Sequence, residues 1–445
     1  MGVMLQTFYW DCPRAEQREF DWWNTIRQQI PHLAEVGFTA LWLPPVHKAA
    51  NLGGPSMGYD PYDYYDLGEF DQKGAVKTWF GSKDELLALI QTAHQHRVSV
   101  IADMVINHNS GADEMEINPI TGQSRWTFYR PQSGKFPRNW ECFHPNAYER
   151  WDESTFGDMP DLSHRNPYVF GEILKLARWL VEEIGFDGFR YDFVKGYGAM
   201  TITAIQEYRY LREGVPFMPY GVAEHWDSAH AIEQWVNATN FSNQNPVDAF
   251  DFPLREMLKA LCDQYGFSLR NFATWETLLQ KQPQATVTFV ENHDLRDEGR
   301  PIVHDKLLAY SYILTHEGYP CVFWKDYFND GLALADTPHG INALIQVHET
   351  LAGGETQRLW LDDDFYVMQR PGFGDKSGLV YVLNNRGEWH GTWVNTRWGD
   401  AELVPVAWWS GRELNQPHTQ HSDPQGRVQL WAPPRGYVVY APMRG

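Results

Sequence analysis

The sequence predicts a closed (β/α)8 TIM barrel with a polar domain inserted after its third strand and an antiparallel β-sandwich at its C-terminus. Three observations predict it. Short apolar segments rich in β-branched and aromatic residues alternate with longer segments of helical period from the N-terminus to about residue 350. The alternation breaks from Asn109 to about Pro160, where the chain turns polar, Trp-rich and irregular over a stretch too long for a plain loop. After about Gly353 the period becomes two, with turn residues between the apolar runs.

Taken in order, barrel strands are predicted at Val3 to Tyr9, Thr39 to Leu43, Val98 to Val105, Gly188 to Asp192, Gly221 to Glu224, Thr286 to Val290 and Cys321 to Trp324. An eighth is expected between residues 245 and 255, at Ala249 to Phe252. Helices between them are expected at Trp22 to Val36, Lys83 to His96, Phe170 to Ile184, Asp305 to Thr315 and Ile341 to Leu351, several ending at a glycine that suits a helix C-terminus. Repeated βα units without a switch point favour a barrel over an open sheet. The sandwich strands are expected at Phe365 to Gln369, Leu379 to Leu383, Gly391 to Val394, Val428 to Trp431 and Tyr437 to Tyr440. The domain boundaries expected are 1–108 with 161–352 for the barrel, 109–160 for the insertion and 353–445 for the sandwich.

Composition narrows the function. The 445 residues include 57 acidic side chains against 37 Lys and Arg, a formal charge of −20, with no clustered basic run. A partner made of phosphates, whether nucleic acid or an anionic membrane surface, is thereby disfavoured. No apolar run approaches the ~18 residues of a membrane span. The N-terminus enters a strand pattern at once, so a cytoplasmic protein is expected if Met1 is native and a secreted one if a signal peptide has been removed. Cys12, Cys142, Cys262 and Cys321 are far apart and form no metal or disulfide framework. The unusual counts are 20 Trp, 22 Tyr and 24 Phe, flat faces alongside the acids.

In such a barrel the chemistry lies where strands end. Four predicted strands end in polar groups of one kind: Asn107 and His108 in DMVINH; Arg190, Asp192 and Lys195 in GFDGFRYDFVKGYG; Glu224 in PYGVAEHWD; His293 and Asp294 in TFVENHD. Arg190 and Asp192 are two apart on a strand and so share a face. Three carboxylates converging on one pocket suit cleavage of an acetal: one attacks the sugar carbon, another donates a proton to the leaving oxygen, and the oxocarbenium-like transition state gains from the remaining negative charge.

These four segments resemble, in order and spacing, the four conserved regions of the α-amylase family, glycoside hydrolase family 13. MPDLSHRNP from Met159 resembles a fifth region, and GVMLQTFYWD, LWLPP and MGYDPYDYYDLGEFDQKGAVKTWFGSKDEL are similar to α-amylases as well. VKGYGA and VAEHWD look most like the archaeal and plant branch. The resemblance implies endo-hydrolysis of α-1,4-glucosidic bonds in starch, glycogen or maltooligosaccharides by a monomer, with an exo-acting enzyme or a transglycosylase as the rival, because water and a sugar hydroxyl compete for one intermediate. A glucan-binding homologue with a dead site is the reading from another class; it predicts loss of a catalytic carboxylate, and all three are present.

Carried over, the family mechanism makes Asp192 the nucleophile, Glu224 the general acid and base, and Asp294 the transition-state stabiliser. Arg190 would keep Asp192 ionised, and Glu224 would need a raised pKa. His108 and His293 would bond hydroxyls of the sugar being cleaved, Tyr59 would stack on that ring, and Lys195 and His225 would line the leaving-group side. Trp10 or Trp226 is a further candidate near the cleft; for most tryptophans packing is the expectation. The resemblance also implies Ca2+, with Asn107, Asp161 and the main-chain carbonyl of Gly196 as ligands. Asp152 and the carbonyl of Ser154 join them by likeness to the archaeal branch, with Asp158 a spare acid nearby. Zinc, which some archaeal relatives add beside His144, is not expected: Ser163 and Glu149 stand at the Cys and second His positions, and Arg150 and Trp151 replace paired cysteines. Glu291, before the Asn292-His293-Asp294 core, departs from the Asp or small residue often found there.

Overall fold

A computed structural model describes residues 2–13, 20–51, 56–150 and 156–443. Eight strands close into a parallel barrel: β1 (Val3–Gln6), β2 (Phe38–Trp42), β3 (Ser99–Met104), β4 (Gly188–Tyr191), β5 (Tyr220–Ala223), β6 (Asp248–Phe250), β7 (Thr286–Phe289) and β8 (Tyr319–Phe323). Each neighbours the next in sequence order, and β8 neighbours β1. The strand expected at Ala249 to Phe252 is β6; it starts one residue earlier and ends at Phe250, because Asp251 caps the helix that begins at Phe252.

The chain divides into two compact units, Gln6–Ala34 with Thr39–Phe250, and Met1–Leu5 with Glu35–Phe38 and Asp251–Gly445. In the first, α1 (Trp22–Val36, completed in the second unit), α2 (Lys83–Gln95), α3 (Pro167–Trp179), α4 (Ala199–Gln206) and α5 (Ala229–Thr239) follow their strands. Local chemistry starts them. Ser82 and Glu85 form a capping box at α2, Asn166 caps α3 with Pro167 in the first turn, and Ser228 caps α5. The helix expected at Phe170 to Ile184 starts earlier, at Pro167, and its last turn widens to a π-helix, Leu180–Ile184, which ends on Gly185 at φ 100°. Between β3 and α3 lie a hairpin pairing Glu114–Ile117 with Ser124–Phe128 and a 3-10 turn, Trp140–Cys142. Bridges His108 to Asp161 and Phe143 to Leu162 bring the far end of this segment back beside the end of β3.

In the second unit, α6 (Phe252–Asp263), α7 (Lys306–Thr315) and α8 (Ile341–Thr350) accompany β7 and β8. Asp305, expected to open α7, lies outside it with φ 47°. The C-terminal part holds β9 (Gln357–Leu361), β10 (Phe365–Arg370), β11 (Leu379–Asn384), β12 (His390–Asn395), β13 (Glu402–Ser410), β14 (Gln420–His421), β15 (Arg427–Ala432) and β16 (Gly436–Met443). Six strands form an antiparallel sheet in the order β9-β10-β11-β16-β13-β14, and β12 pairs with β15 in a second sheet. Inward residues of both sheets, including Val367, Val382, Val438, Val394, Val428 and Leu430, share one buried core. Arg435 Nη2 donates to the carbonyls of Leu261 (2.7 Å) and Cys262 (2.8 Å) on α6, and Ser311 of α7 bonds the Tyr381 hydroxyl at 2.8 Å.

Candidate active site

One guanidinium organises the ends of β3, β4 and β5. Arg190 stands in register with Asp103 on β3 and Val222 on β5. It is buried, with Nη1 2.9 Å from Asp103 Oδ1 and 2.8 Å from Asp192 Oδ1, and Nη2 2.6 Å from Glu224 Oε2. Burial alone would weaken its charge, but Asp103, Glu224 and the groups beside them outweigh burial and raise its pKa well above the ordinary arginine value. Asp192 follows the last residue of β4, and its N–H donates to the Met104 carbonyl at 3.2 Å. Phe193 turns into the left-handed region at φ 43°, an uncommon conformation for a bulky residue. That turn aims its N–H at Glu224 Oε2, 3.2 Å away.

Asp103 is the member of this cluster that sequence reasoning passed over. Burial pushes its carboxyl up to about 6, against the pull of Arg190 and of hydrogen bonds from Tyr59 and Trp42. The Tyr59 hydroxyl donates to Oδ2 at 2.7 Å and Trp42 Nε1 at 3.1 Å. Its signal was present: Asp103 has the same strand parity as Val105 and Asn107 in the DMVINH segment, at the end of a buried strand.

The other expected residues fall into three groups. Tyr59 joins the cluster, and Trp10 stacks against its ring at 6.3 Å and 12°. His108 is buried and its pKa is lowered to about 4 by that burial; Nε2 lies 2.9 Å from the Tyr59 carbonyl, so the neutral ring donates from this nitrogen. Phe156 lies flat on the imidazole at 4.4 Å and 2°. Lys195 is exposed and held by Asp227 at 2.8 Å and the Trp226 carbonyl at 3.3 Å. His225 is buried beside Trp235, ring centroids 5.9 Å apart, and burial lowers its pKa. In the second unit, His293 and Asp294 follow β7, with His293 Nε2 3.3 Å from Asp294 Oδ2 and Arg296 Nη1 3.3 Å from Asp294 Oδ1. Glu291 is buried there, 3.2 Å from Arg255 and accepting the N–H of Ile302, and burial pushes its carboxyl up to about 7.

The metal question turns on Asn107. Its Nδ2 donates to Asp161 Oδ1 at 2.9 Å, while its buried Oδ1 has no hydrogen-bond partner among the described residues. That oxygen points at Gly196, where a Cβ would come within 2.0 Å of it. Asp152 and Ser154 lie outside the described residues. Among the described residues, no group of three or more His, Cys, Asp or Glu is placed to hold a metal. At the positions compared with a zinc site, Glu149 Oε2 lies 2.8 Å from His144 Nε2 and 2.8 Å from Ser163 Oγ, closing a hydrogen-bonded cluster.

Paired carboxylates at the C-terminal ends of barrel strands are the groups a glycoside-cleaving barrel enzyme would use. The family described as "Alpha amylase, catalytic domain" matches residues 14–323, and the chain belongs to that family of glycoside hydrolases. It is 32% identical to the α-amylase of Bacillus licheniformis, over 86% of this chain and 83% of that one. It is 29% identical to the cytoplasmic α-amylase of Escherichia coli K12 over 86% and 88% of the two chains, and 29% identical to a probable α-amylase of Arabidopsis thaliana over 75% and 77%. The crystal structure of an α-amylase from Geobacillus thermoleovorans complexed with acarbose shares the fold, with a TM-score of 0.70 at 18% identity over 100% of this chain and 98% of that one.

Proposed function

We propose that the chain is an endo-acting, retaining α-amylase whose reaction runs on Asp192, Glu224 and Asp294. It hydrolyses α-1,4-glucosidic bonds, as its family membership implies. The observation that carries the residue assignment is the shared guanidinium: Asp192 and Glu224 bond separate nitrogens of Arg190. Retention needs such a pair ~5–5.5 Å apart and inversion ~6.5–9.5 Å; two carboxylates held on one guanidinium are compatible with the shorter spacing, and the retaining course is taken from the family. Protonated Glu224 donates to the glycosidic oxygen as Asp192 attacks the anomeric carbon, the C–O bond breaks, and a covalent glycosyl-enzyme forms. Glu224, now ionised, takes a proton from water as its oxygen attacks the same carbon and expels Asp192, restoring the original configuration.

Asp294 is assigned the stabilising role from its place after β7, at the strand ends where barrel enzymes work. Tyr59, with Trp10 behind it, offers a stacking face; His108 and His293 are assigned to sugar hydroxyls, and Lys195 and His225 to the leaving-group side. A second reading, exo-action or transfer to sugar acceptors, draws on relatives: a maltohexaosidase of Bacillus sp. 30% identical, and a cyclomaltodextrin glucanotransferase of like fold. The deciding measurement is a time course on amylose. Rapid loss of iodine colour with few reducing ends is expected; cyclic or elongated products would establish transfer. Asp192→Asn should lower kcat by at least about 10³-fold, the scale of removing a catalytic nucleophile, and an unaltered rate would remove Asp192 from the mechanism.

Asn107, Asp161 and the Gly196 carbonyl fit a hard cation, because a buried amide oxygen with no hydrogen-bond partner among the described residues, a carboxylate and a side-chain-free approach are what Ca2+ takes. Bound there, the ion would tie residues 107–109 and 160–162 to the turn after Asp192.

A further inference from the structure

We propose that the outward face of the β12–β15 ribbon is a second α-glucan-binding platform, separate from the carboxylate site. Along these strands Val394, Val428, Leu430 and Ala432 point into the sandwich core, so the alternate residues face out. Trp393 and Trp431 are among them, 54% and 36% exposed, although large apolar side chains on a sheet of this kind normally turn inward. The register pairs Gly391 with Trp431 and Trp393 with Gln429. The two tryptophans are therefore diagonal neighbours, positions ~7–8 Å apart along such a pair and near enough for one chain to cross both.

Each ring is held in place. A Cβ on Gly391 would meet Trp431 Cδ2 at 2.4 Å and Cε2 at 2.7 Å, so this indole lies flat on the glycine backbone and only a glycine admits it. The Arg427 guanidinium sits 4.7 Å from the centre of the Trp393 ring and braces it from the neighbouring strand. Arg427, Gln429 and Asn395 bring hydrogen-bond donors to the same face. In a chain with 57 acidic residues these two strands contain none. Flat apolar rings beside amide and guanidinium donors, without carboxylates, match a neutral polyhydroxylated ligand, and the family's own substrate is of that class. The proposal rests on that glucan chemistry and not on the roles given to Asp192, Glu224 and Asp294.

The test uses the full chain and the variants Trp393→Ala, Trp431→Ala and the double substitution. Retention in gels containing soluble starch and adsorption to granular starch are measured beside kcat/KM on a short maltooligosaccharide. The double variant should lose roughly fivefold or more in adsorption, the scale of about 1 kcal/mol, with kcat/KM within about twofold of the parent. Unchanged adsorption overturns the proposal, as does an equal fall in both measures, which would trace the loss to the active site or to folding. A dimer that the substitutions convert to monomer would make this a self-association face and overturn it too. Trp393→Ala, the more exposed position, carries the test if the double variant does not fold, with an expected loss of adsorption about half as large on a logarithmic scale.

Discussion

Arg190 is bonded to three carboxylates at once, and the chemistry of this site depends on how their charge is shared. Among them Asp103 is buried and its carboxyl is raised to about 6 by that burial, with Tyr59 helping to hold it ionised. Tyr59→Phe removes that donor and should raise the Asp103 pKa further. The acid limb of the kcat/KM profile is then expected to move to higher pH, with a loss of about tenfold below pH 6 and a smaller one at pH 8. A profile that keeps its shape would show that Asp103 does not govern that limb. Glu291 offers the companion test in stability. Its folded pKa, about 7, lies above the ordinary 4.5, so the folded state holds the proton more tightly than the unfolded chain. Stability from this group is therefore complete below about pH 4.5 and lost as pH rises through about 7. Glu291→Gln should gain on the parent across that window by something of order 1–3 kcal/mol, read from denaturation midpoints at several pH values; a constant difference between the two would refute the sign.

At the level of elements, boundaries follow caps rather than hydrophobic period. Asp251 shows why one barrel strand was hard to place: its carboxylate accepts the N–H of Leu254 at 3.0 Å, capping α6, and that of Leu279 at 2.7 Å, leaving only Asp248–Phe250 as strand. Asp251→Ala strands two buried donors and should cost about 2–4 kcal/mol, with Asp251→Asn intermediate; a melting curve indistinguishable from the parent would contradict that account. α4 was invisible for a different reason. Its sequence AMTITAIQ is rich in β-branched residues, which favour strands locally, and it becomes helical with Ile202 and Ile205 buried. The nine-residue β13 was missed because Pro405 interrupts its alternation, where the register with β16 shifts in a bulge.

For the whole molecule, the expected ion supplies the broadest prediction. Calcium that binds only the folded state stabilises it, so stripping with EDTA should lower the melting midpoint by several degrees and added Ca2+ should restore it. Gly196→Ala, which drives a methyl against Asn107 Oδ1, should shrink that calcium-dependent increment. An EDTA-insensitive midpoint that also ignores added calcium would count against the site. The same scale explains the charge. Of 57 acidic residues, a handful surround Arg190 or Asn107, and a net charge that disfavours phosphate partners says nothing about a neutral glucan.

The sequence by itself determined the barrel, the C-terminal sandwich, the family, and the candidate carboxylates with Arg190, because strand period and strand-end motifs are local and survive reading in one dimension. Only the tertiary structure decided which groups Arg190 binds, since cross-strand register set Asp103 beside it. Tertiary structure likewise left the Asn107 oxygen without a hydrogen-bond partner among the described residues and put Trp393 and Trp431 on the outer sheet face. Those outcomes depend on which side chains meet across strands far apart in the chain, and burial, not spacing, sets their charge.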